Sequence, residues 1–78
     1  MDFQMVETVA AAILAYVRCR PQSADTVQGI HTWWIDWHGR IESPEVTEGA
    51  LEHLERQGLM ERVCIGNRLL WRKPRVID

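Results

Sequence analysis

Three groups of residues in this sequence have types and spacing that could do chemistry. In SPEVTEGALEHLERQGL, residues 43–59, the carboxylates Glu45, Glu48, Glu52 and Glu55 recur every three or four positions. On a helix that spacing aligns them in one row. A row of carboxylates suits a basic partner and repels phosphates. The second group is cationic: Arg62, Arg68, Arg72, Lys73 and Arg75 stand against Asp78 alone over residues 62–78. That segment carries +4, whereas residues 1–61, with four Arg and ten acids, carry −6. An acidic body and a basic end suit different partners. The third group is HTWWIDWH, with three of the four tryptophans in five residues, flanked by His31 and His38. The first expectation is that Trp33, Trp34 and Trp37 all pack the core of a small domain; the alternative is a partly exposed aromatic patch, since indoles supply large apolar contact area at interfaces. They also stack on single-stranded bases, but that mode needs a basic groove, and the local charges are only Asp36 and Arg40.

Catalytic and metal chemistry find little support. Cys19 and Cys64 lie far apart, and His31, His38 and His53 are the only further soft ligands. Structural zinc uses four ligands in paired spacings, which these do not form. The expectation is two reduced, mostly buried thiols and three ordinary surface or boundary histidines. The sequence holds no catalytic constellation, cofactor motif or phosphate loop, so a non-enzymatic protein without cofactor or metal is expected.

The elements that must position these residues follow from punctuation and periodicity. A chain of 78 residues is expected to be one domain, burying roughly 60–65% of its unfolded surface. Its longest apolar run, VAAAILAYV, falls well short of a membrane span. The start MDFQMVE lacks the cationic region of a secretory signal, so a cytoplasmic location is expected. Phe3, Val6, Ala10, Ile13, Leu14 and Val17 fall at helical spacing and predict a helix over about 2–20, ended by Pro21. Met5, Val9, Ala12 and Tyr16 form a second apolar stripe, either a wide core face or a homodimer contact. A second helix over about 25–38 is signalled by Asp25 and Gln28, with Val27, Ile30 and Trp34 on one face and Gly39 as the stop. Gly29 inside it suggests close packing. Trp33 falls on the flank of that face and Trp37 near the helix end. The third helix, about 44–57, has Ser43 as N-cap, Pro44 in the first turn, and Val46, Ala50, Leu51 and Leu54 as its buried face. Gly58 ends it. Residues 60–73 read as a hairpin turning at Gly66-Asn67, which would set Cys64 opposite Leu69 and Val63 opposite Leu70. The pattern alone leaves open whether Leu69 and Trp71 or Leu70 face the core. A short tail, 74–78, follows.

Three helices followed by a hairpin, with Ala50-Leu51, Leu54, Gly58-Leu59, the Gly66-Asn67 turn and Trp71, resemble the winged helix-turn-helix family over residues 3–73. The resemblance implies an α+β, mainly helical fold with a C-terminal hairpin as the wing. The stretch DWHGRIE between the second and third helices is longer than the usual family turn. In members that bind DNA, the third helix enters the major groove and the wing reaches backbone or minor groove.

The residues of the third helix argue against that use. Glu45, Glu48, Glu52 and Glu55 lie opposite the buried face, where a groove reader would meet DNA. Part of the row is ordinary surface chemistry: Glu45 suits the helix N-terminus, Glu52 can pair with Arg56, and Glu55 is a solvated residue. The expectation is therefore a protein-interaction module. Its contacts would be Glu45, Glu48, Glu52, Glu55, Trp33 and Trp37, and the first helix is a candidate homodimer contact. The alternative is a DNA-binding transcriptional regulator that uses Arg62, Arg68, Arg72, Lys73 and Arg75 of the wing.

Overall fold

The computed structural model of the chain describes residues 2–75. Helix α1, Phe3–Cys19, starts where the Asp2 carboxylate accepts the Gln4 amide, and its alanine-rich sequence favours helix throughout. It buries Val6, Val9, Ala10, Ile13 and Val17. The second apolar stripe is partly covered: Val9 is buried, while Met5, Ala12 and Tyr16 are half-buried and pack against the core. Tyr16 stacks on Trp34 with ring centroids 4.5 Å apart. Phe3, expected on the core face, is half exposed and packs edge-to-face with His53.

After the turn at Pro21, Ala24–Asp25 forms a two-residue strand, β1, that the sequence pattern did not announce. Helix α2 opens at Val27–Gly29 and winds into a π-helical turn over Ile30–Trp34. Its N-cap is Thr26, whose hydroxyl accepts the Gly29 amide at 3.1 Å, rather than the expected Asp25 and Gln28. Gly29 leaves room for a close approach: a Cβ there would displace the Asp25 carboxylate, which accepts the Thr26 amide. The helix ends at Trp34, not near residue 38, and Ile35 is already extended. The Trp37 indole donates to the His31 carbonyl at 2.7 Å, occupying an acceptor that a continuing helix would have used. The turn expected of Gly39 is made there by His38 and Gly39 together, both at positive φ.

Helix α3, Pro44–Arg56, matches its sequence reading closely. Ser43 caps it through the Glu45 amide, Pro44 fits the first turn, and Gly58 takes the left-handed conformation at φ 75°. Val46, Thr47, Ala50, Leu51 and Leu54 are buried. Strands β2, Glu61–Ile65, and β3, Arg68–Arg72, pair with Val63 opposite Leu70 and Cys64 opposite Leu69, as a two-residue turn dictates. Strand β1 pairs with β3, so the antiparallel sheet runs β1-β3-β2. Trp71 faces the core, while Leu69, two residues nearer the turn, stays exposed. Cys19 and Cys64 are both exposed free thiols, not buried ones: one ends α1 and the other sits near the hairpin turn. The architecture is α+β and mainly helical: three helices and a three-stranded antiparallel sheet, compatible with a winged helix.

Candidate functional site

Because α3 buries the Val46–Leu54 face, its carboxylates point away from the core. Glu45 and Glu48 are exposed; Glu52 and Glu55 are half-buried. Glu55 is not merely solvated. Its two oxygens accept from Arg62 Nε and Nη2, both at 2.8 Å, in a bidentate pair that ties α3 to β2. The same guanidinium lies over the Trp71 ring, 4.7 Å from its centroid. Trp71 is only 1% exposed, so an apolar ring backs this ion pair on one side. The Arg62 hydrogen bonds hold the Glu55 carboxyl below its ordinary range. The Arg62 guanidinium is raised in turn by the bonds to Glu55, with further attraction from Glu52 and Glu48. The expected Glu52–Arg56 pair is not among the ion pairs of the described residues.

The basic group is divided. Arg62 is spent on Glu55, and Arg72 donates through Nε to Glu61 at 2.7 Å. Arg68, Lys73 and Arg75 are exposed and form no ion pair among the described residues. Arg68 flanks the hairpin turn. Lys73 and Arg75 follow the end of β3, at the opposite end of the strand.

The tryptophans separate too. Trp34 is in the core. Trp37 is half-buried, tilted against the His31 ring at 4.7 Å and fixed by its bond to the His31 carbonyl. It is a structural brace more than a free contact. Trp33 is 77% exposed, and Ile41 in the following loop is 98% exposed.

His31, expected to be an ordinary boundary residue, joins α2 to α3. The Glu42 carbonyl can only accept, so Nε2 carries a proton and donates to it at 2.8 Å. Nδ1 meets the buried Thr47 hydroxyl at 2.6 Å. This contact fixes the long α2–α3 connection and thus how α3 presents its acidic face. No local sequence signal marked it, since His31 and Thr47 are sixteen residues apart. Among the described residues, no three His, Cys, Asp or Glu side chains gather as a metal ion would need. No helix there is long and apolar enough to cross a membrane.

Comparison of the chain with protein-family models, with curated proteins and with solved structures yields no match.

Proposed function

We propose that this chain is a non-catalytic winged-helix module that binds a protein partner through the outward face of α3. The observation that carries the reading is the charge of that face. Glu45, Glu48 and Glu52 line it, and Arg62, the nearest cation from the hairpin, is neutralised by Glu55. DNA affinity rests on neutralising phosphates, and this surface adds negative charge instead. The exposed Trp33 supplies a second contact of the kind that anchors protein interfaces.

The second reading, DNA binding led by the wing, draws on Arg68, Lys73 and Arg75, which have no carboxylate partner among the described residues. Fluorescence anisotropy with mixed-sequence duplex DNA at low salt separates the two. The protein-module reading expects no saturable binding. Sub-micromolar, salt-sensitive affinity that is lost in the Arg68→Ala, Lys73→Ala, Arg75→Ala triple variant would replace it with the DNA reading.

A further inference from the structure

The α1–β1 connection and the residues that follow Arg72, together with Ile65 of β2, line an open cleft of about 620 Å³. The Ala24–Arg72 pairing of β1 with β3 holds these two segments together. The cleft is lined by Arg72, Lys73 and Arg75, with Ser23 as a neutral hydroxyl among them. No Asp or Glu lines it among the described residues. The nearest acid in hydrogen-bond terms is Glu61, which accepts from Arg72 Nε and so fixes that guanidinium. Among the described residues, three cations less this one carboxylate leave +2, in a chain whose total charge is −2. Pro21, Ile65 and Pro74 add an apolar wall.

We propose that this cleft binds a small organic phosphate. A phosphate group carries roughly −1.5 to −2 at neutral pH, which matches the local excess. Arginine and lysine are the side chains that bind phosphate, Arg through paired N–H groups and Lys as a point charge. The volume exceeds what one phosphate needs and falls in the range of ligand pockets, which combine apolar walls with a few convergent polar groups. The ligand class is therefore an anionic head on a compact, partly apolar body. The site is separate from the α3 face, so it stands or falls independently of the protein-contact reading.

The test is an NMR titration of the isotope-labelled full chain at fixed ionic strength, with adenosine monophosphate, adenosine and inorganic phosphate as probes. The expected result is saturable shifts at the Ser23, Ala24, Lys73 and Arg75 amides with adenosine monophosphate. Inorganic phosphate should bind more weakly at the same amides, and adenosine not at all. The exposed positions allow Lys73→Ala plus Arg75→Ala without loss of fold. That variant should weaken adenosine monophosphate by about tenfold or more, as the loss of charge-assisted bonds implies. Lys73→Arg should retain binding. Shifts that fail to saturate, or that persist unchanged in the double alanine variant, would overturn the proposal. So would saturation of these amides by duplex DNA but not by the mononucleotide, which would assign the phosphate to a polynucleotide backbone.

Discussion

At the scale of single residues, two contacts fix how α3 is presented, and each has a measurable signature. Thr47 is fully buried and its hydroxyl meets His31 Nδ1. Thr47→Val keeps the shape and strands that nitrogen, so a loss of about 1–3 kcal/mol is expected in urea unfolding. Thr47→Ser keeps the hydroxyl and removes one methyl, costing nearer 1 kcal/mol. If valine proved no worse than serine, the hydroxyl would not be holding the connection. The second contact is the Glu55–Arg62 pair. The Glu55 carboxyl titrates below its ordinary value of 4.5 because Arg62 hydrogen bonds favour the charged form. The sign follows from linkage. The folded state holds the proton less tightly than the unfolded state, so the pair's contribution is present above the ordinary carboxylate value. It is lost as pH falls through the lowered one. Titration followed by carboxyl NMR should place Glu55 below the ordinary value of 4.5, and Arg62→Gln should return it toward that value. A Glu55 curve unmoved by that substitution would mean that the pair is not formed in solution.

At the scale of elements, what could be read from sequence depended on whether the deciding contacts were local. Helix α3 was legible because cap, first-turn proline, apolar period and terminal glycine all agree within seventeen residues. The hairpin register was legible because a two-residue turn admits few alternatives. The end of α2 was not, because it is decided by the Trp37 indole on the His31 carbonyl and by His31 reaching Glu42 and Thr47. Strand β1 is too short to show an alternating pattern. Of the site, the acidic row was visible as a helical face, but its link to Arg62 crosses a turn and is not a helix-spaced pair. Likewise, the cations of the last segment were visible as a cluster, but not their division between ion pairs and the cleft. Helix α2 offers its own test. Alanine is the better helix former by about 1 kcal/mol, so propensity alone predicts that Gly29→Ala stabilises. The Asp25 carboxylate in the Cβ position predicts the opposite. Gly29→Ala should therefore destabilise, and the Asp25→Ala, Gly29→Ala double variant should recover more than the sum of the single effects allows. Additive effects in that cycle would show that the two residues do not compete for space.

At the scale of the whole molecule, the separation of charge decides which polymers can approach. The acids of α3 and the cations beyond β3, which form no ion pair among the described residues, lie on different elements, so net charge alone says little about partners. If the acidic row is what keeps α3 off DNA, changing its sign should open that surface without touching the fold. Glu48→Lys plus Glu52→Lys moves the formal charge from −2 to +2, since each reversal adds two. Neither side chain is in the core cluster, and both lie along the row that attracts Arg62. Unfolding of the variant would place them on the wrong face. A folded variant should gain salt-dependent affinity for duplex DNA that the parent lacks, since affinity at low salt scales with the phosphates neutralised. The slope of log affinity against log salt measures how many are engaged. A parent that already binds as tightly as the variant would show that α3 is not the gate. A folded variant that stays silent would show that shape, set by the long α2–α3 connection, excludes the groove whatever the charge.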